Sequence, residues 1–150
     1  MEKTLKQLMA LCLISLFLTG AAFAADKMAG HDMNASDKMG EMIHQSTVDG
    51  YMLSYHFMDL RDGTAAMENM EKPHHLMLYI MDKNHKAVLK GKVGFMIHDA
   101  DGTPQKAMGM FMTNGFGTTA DMKKKGVYTI TTKAVLDGKK VMDKFEYEVK

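Results

Sequence analysis

Thiol chemistry is almost missing from this sequence. The one cysteine, Cys12, lies inside an apolar run near the N-terminus. No intrachain disulfide, Cys-x-x-Cys redox pair or Cys-x-x-Cys-His haem attachment can therefore form. Once that run is removed, a blue-copper centre and a cysteine nucleophile are excluded as well. Charge of one sign is also lacking: 19 basic residues stand against 18 acidic ones. They are mixed along the chain, which gives no case for nucleic acid or an anionic membrane surface as a partner. His-Glu-x-x-His, Gly-x-Ser-x-Gly and the glycine-rich nucleotide patterns are absent. A binding protein is expected, without a small-molecule substrate, rather than an enzyme. Long hydrophobic runs are missing too. Leu8–Leu18 falls short of the roughly 20 apolar residues that a membrane-spanning helix needs.

That run instead reads as the centre of a cleavable signal peptide. Lys3 and Lys6 precede it, Thr19 and Gly20 end it, and Ala22-Phe23-Ala24 supplies the small-x-small cleavage pattern. Cleavage after Ala24 would remove residues 1–24 together with Cys12. A periplasmic or otherwise exported, soluble chain of residues 25–150 is the expectation, long enough for one domain with a real core.

Residues 25–46 are rich in Asp, Lys, Gly, Asn and Ser and carry no apolar period. Asp26-Lys27-Met28-Ala29-Gly30 returns imperfectly as Asp37-Lys38-Met39-Gly40. Such a segment buries too little to offset its ordering entropy, so a flexible Met/His-rich arm is expected there. From residue 47 to residue 150 the pattern becomes that of strands. Tyr51, Leu53, Tyr55 and Phe57 alternate with a period of two. Residues 74–81 and 92–98 are apolar runs ended by turn-forming residues, and Met108, Met110 and Met112 alternate before Asn114-Gly115. Tyr128–Thr132 and Lys139–Val149 close the chain around Asp137-Gly138. Only Arg61–Lys72 predicts a helix, with Thr64 at its N-cap and Pro73 past its end. The fold class expected is all-β: an immunoglobulin-like antiparallel β-sandwich of about seven strands, with a small barrel as the alternative.

What the chain has in excess is methionine, 18 residues, accompanied by 7 histidines. All but Met1 and Met9 lie beyond the signal. Methionine fills irregular core gaps, yet a sandwich core ordinarily favours branched residues, and here methionine also populates the polar arm. A thioether is an uncharged, polarizable donor suited to Cu(I), and imidazole suits copper in either oxidation state. Unlike a thiol, a thioether forms no disulfide in an oxidising compartment.

His56 and Met58, and likewise Met96 and His98, are two apart on predicted strands and leave the same face. Met108, Met110 and Met112 would place three sulfurs along one face of a strand, a poor way to build a stiff core. His74 and His75 are adjacent and point to opposite faces, so only one of them can join a given site. These nine residues are the candidate metal ligands. Met28, His31, Met33, Met39, Met42 and His44 form a weaker set in the arm, where ordering a loop costs affinity. His85 reads as a solvated turn residue.

The stretches His74-His75-Leu76-Met77, Gly91-Lys92-Val93, Asp101-Gly102 and Lys125-Gly126-Val127-Tyr128-Thr129-Ile130 resemble the YtkA-like and FixH-like exported domains. More distantly they are similar to the copper-resistance protein CopC. The resemblance covers residues 48–150. It implies an immunoglobulin-like fold and periplasmic copper handling, with Met108, Met110 and Met112 in the family's Met-rich segment and His74 or His75 as its leading histidine. Ala25-Asp26 stands where CopC carries an N-terminal histidine, which turns the expected cargo from Cu(II) to Cu(I). Copper buffering or delivery to a membrane metal transporter or cuproprotein is the resulting expectation. Two rivals stay open: a metal-independent module docking on a membrane or efflux complex, and a methionine oxidant sink.

Overall fold

The computed structural model describes residues 38–61 and 63–150. The expected signal peptide and Met28, His31 and Met33 of the expected arm lie outside the described residues. Among the described residues, nine strands form two antiparallel sheets, an all-β sandwich. The strands are β1 (Glu41–Val48), β2 (Tyr51–Asp59), β3 (His74–Met81), β4 (Lys92–His98), β5 (Pro104–Met108), β6 (Met110–Met112), β7 (Gly115–Ala120), β8 (Gly126–Leu136) and β9 (Lys139–Val149). One sheet runs β1-β2-β3-β7-β6, the other β5-β4-β8-β9.

Three hairpins set the registers. Asp49-Gly50, Thr113-Asn114 and Asp137-Gly138 all carry positive φ angles. They join Val48 to Tyr51, Met112 to Gly115 and Leu136 to Lys139 as two-residue loops. That backbone twist matches the twist of paired strands. Alternation then sorts the side chains. Leu53, Tyr55, Leu76, Leu78, Ile80 and Phe116 of the first sheet meet Val93, Phe95, Ile97, Tyr128, Ile130 and Leu136 of the second. Among the described residues, Met122 is the one methionine in this buried cluster. Packing between the sheets therefore does not explain the methionine excess.

Several expectations from the sequence are corrected. The antiparallel β-sandwich itself is as expected, with nine strands among the described residues where about seven were expected, and the last six residues of the 25–46 arm belong to β1. Pairing with β2 holds that strand, which carries a bulge between Met42 and His44, and its Ile43 and Val48 pack against the core. The helix expected over Arg61–Lys72 shrinks to Ala65–Glu68. Its residues Ala65, Met67 and Glu68 are exposed, and so short a helix without a buried face has little to stabilise it.

The Met-x-Met-x-Met run is also corrected, because it does not lie on one face. Met108 ends β5 in one sheet, and Met110 and Met112 form β6 in the other. The chain crosses between sheets at Gly109, whose N–H donates to the Val93 carbonyl at 2.8 Å. A Cβ at Gly109 would lie 3.0 Å from Phe95 Cε2 and 3.3 Å from Phe116 Cβ. Glycine lets the backbone pass between two core aromatics.

Candidate metal centre

The outward face of the first sheet collects what the core excludes. Cross-strand partners share a face. Met42 pairs with His56, His56 with Met77, Met77 with Gly117, and Gly117 with Met110, which makes a continuous row over five strands. In the neighbouring row Met58 pairs with His75, and His75 with Thr119. Met112 lies on the same face, two residues beyond Met110.

Gly117 is the centre of this arrangement. A Cβ there would fall 2.5 Å from His75 Nε2, 2.5 Å from Met77 Sδ and 3.2 Å from Met112 Sδ. Three donor atoms from β3 and β6 thus converge on the space that the missing side chain leaves above β7. His75 Nε2 and Met77 Sδ are themselves 3.2 Å apart. With metal–nitrogen and metal–sulfur bonds of about 2.0 and 2.3 Å, one ion shared by both would subtend an angle of about 95°. Burial holds the His75 pKa below the ordinary histidine value, which favours the neutral imidazole that a metal ligand requires. Met77 is fully buried, at 0 % exposure.

The donor set is neutral throughout. Among the described residues no group of three or more His, Cys, Asp or Glu comes together, so no anionic cage for a hard divalent cation is built. One imidazole with two thioethers suits a soft monovalent ion.

Met58 and Met110 flank these donors on the same face, while the remaining candidate residues are placed elsewhere or are already engaged. His56 lies on the same face, but its Nδ1 is 3.2 Å from the Gly40 carbonyl and its Nε2 is 2.9 Å from Ser54 Oγ. A carbonyl only accepts, so Nδ1 carries the proton and Nε2 accepts from the serine hydroxyl. Both nitrogens are used, and burial lowers the pKa. His74 points inward and stacks on Phe57 with ring centroids 5.1 Å apart. Its Nδ1 accepts the Met122 N–H at 3.1 Å, which leaves the Nε2 proton directed at Asp59 Oδ2, 3.7 Å away. Burial lowers its pKa despite that carboxylate. The hydrogen bond from Arg61 holds Asp59 itself down to about 2.

His44, assigned to the arm by the sequence, also turns inward. It stacks on Phe145 at 4.1 Å and lies 3.6 Å from Asp143. Met96, His98 and Met108 occupy the outer face of the second sheet, where Met96 pairs with Lys106 and Met108 with Gly94. Lys106 and Lys133 line the same shallow groove as Met96 and Met108, which sets cations beside those sulfurs. Met39 donates its N–H to Tyr79 Oη at 2.7 Å, and Lys38 Nζ stands 5.6 Å from the centroid of the same ring. Residues 38–40 therefore cross the outer face above β2 and β3. His85 is an exposed turn residue with φ 58.

Sequence reasoning missed two components, Met77 and Gly117. The signal for Met77 was its spacing of two from His75, the same relation used for His56 and Met58. Gly117 gave none, because a glycine-rich strand shows no apolar alternation.

Comparison by sequence matches no family model and no functionally described protein. The likeness to YtkA-like and FixH-like domains and to CopC thus rests on the stretches from His74 to Ile130 alone. By structure, the chain is similar to a copper-bound variant of FetP from uropathogenic Escherichia coli strain F11. The TM-score is 0.53 at 12% identity, over 73% of this chain and 95% of that one. FetP of the same strain, as isolated after expression in the periplasm of E. coli BL21(DE3), aligns with a TM-score of 0.54 and 12% identity over 72% and 93% of the two chains. At that identity the likeness is one of fold. No helix among the described residues is long and apolar enough to cross a membrane.

Proposed function

We propose that this protein is an exported, non-enzymatic Cu(I)-binding β-sandwich that buffers the ion or delivers it to another protein. The observation that carries the reading is the convergence of His75 Nε2, Met77 Sδ and Met112 Sδ on the empty Cβ position of Gly117. Neutral soft donors favour Cu(I) over divalent ions, whose charge would be desolvated there without an anionic ligand. The fold shared with a copper-bound protein supports the choice of metal. So does the signal-like N-terminus, which would deliver the chain to a compartment where thiols oxidise.

Anaerobic titration of residues 25–150 with Cu(I) against a chromogenic chelator tests this. One equivalent per chain should be withdrawn from the chelator. Replacing Met77 and Met112 together by leucine, which conserves volume and costs roughly 1.5 kcal/mol or less per site, should abolish that competition while the fold persists. Failure of the wild-type chain to compete at micromolar chelator removes the reading.

A further inference from the structure

The three converging donors are not equally accessible, and the difference has a direction. Met77 is fully buried, Met112 is half-buried, and Met110 is 66 % exposed. Met110 sits on the edge strand β6 and pairs with Gly117, the residue beneath the converging donors. No side chain at position 117 stands between the Met110 thioether and the site. Directly paired residues hold their Cβ atoms roughly 5 Å apart, and methionine has three rotatable bonds. The Met110 sulfur can therefore swing over the site or out into solvent.

The opposite edge offers no such route. Met42 on β1 is also exposed, but His56 stands between it and Met77 in the row. Both His56 nitrogens are engaged, and residues 38–40 lie across that side through Gly40 and Met39. The site is closed toward β1 and open toward β6.

We infer that Met110 is the sulfur through which the ion arrives at and leaves the His75–Met77–Met112 site, an inference that rests on the Cu(I) reading of that site. An exposed methionine side chain loses rotamer entropy when it is fixed, so its thioether adds little to equilibrium affinity. It offers instead a transient extra ligand, which lets one donor be exchanged for another without a bare ion as intermediate.

Met110→Leu tests the assignment, with Met42→Leu and Met108→Leu as exposed controls on the other edge and the other sheet. Cu(I) transfer from a loaded chromogenic chelator is followed by anaerobic stopped flow, and the Kd by equilibrium competition. For Met110→Leu the Kd should stay within about threefold of wild type while transfer in both directions slows about tenfold, and both controls should match wild type. An unchanged transfer rate overturns the inference. So does a Kd weakened as much as the rate, which would make Met110 an ordinary ligand, or equal slowing in either control. A wild-type chain that takes no Cu(I) overturns the functional reading itself, a result separate from any of these.

Discussion

Gly117→Ala is the sharpest perturbation of the proposed site, because one methyl group would occupy the point where the donors meet. The new Cβ would lie 2.5 Å from both His75 Nε2 and Met77 Sδ, and 3.2 Å from Met112 Sδ. Comfortable contacts run at about 3.5–4.0 Å, so the imidazole and the Met77 sulfur must each retreat by about 1 Å. Met77 is fully buried and has little room to do so. Overpacking of this kind costs about 1–3 kcal/mol, which for a domain of this size is a fall in Tm of roughly 4–12 °C. Ligand positions in a metal site hold to about 0.2 Å, so a displacement several times larger should weaken Cu(I) binding by at least about 100-fold, beyond the loss typical of outer-shell changes. Thermal unfolding with and without Cu(I) reads both effects. Wild type should gain about 4 kcal/mol at a thousandfold excess of free ion over Kd, and the variant should gain almost none. A Gly117→Ala chain with the wild-type Tm and the wild-type copper response would refute the geometry on which the site rests.

Other outcomes separate scaffold from site. His56→Ala leaves Ser54 and the Gly40 carbonyl without their buried partner and should cost about 1–3 kcal/mol of stability with Cu(I) affinity intact. His75→Ala should reverse that pattern, losing affinity with a smaller drop in denaturant midpoint. Gly109→Ala should destabilise the chain by about 1–3 kcal/mol, because its Cβ would press on Phe95 and Phe116; an unchanged urea midpoint contradicts the crossing described here. The pH dependence has a definite sign. His56, His74 and His75 are all held below the ordinary histidine pKa by burial. Below about 6.5 the unfolded chain takes up protons that the folded chain resists. Their contribution is therefore complete above that pH and shrinks as pH falls toward the folded values. A urea midpoint that rises between about pH 6.5 and 5 would contradict this assignment.

By itself the sequence determined the donor chemistry and much of the secondary structure. A chain with a single cysteine, crowded with thioethers and imidazoles, carries mainly soft donors whatever its fold. A period of two is enough to send His74 and His75 to opposite faces, and to set His56 with Met58 and Met96 with His98. Asp137-Gly138 fixed its hairpin for the local reason that both residues tolerate positive φ. Strand β7 was not legible, because Gly115 and Gly117 take the outward positions that would have shown alternation.

Tertiary structure decided which donors meet. Met77 and Met112 are remote in sequence, and only the order β3-β7-β6 brings them over the same glycine. Alternation treats Met108, Met110 and Met112 alike. The crossing at Gly109 separates them, because the backbone there is threaded between Phe95 and Phe116 and changes sheets. Spacing cannot show, either, that His56 and His74 spend their lone pairs on Ser54 and the Met122 N–H. A histidine's availability as a ligand is set by hydrogen bonds to groups distant in the chain, and those exist only once the sheets have paired.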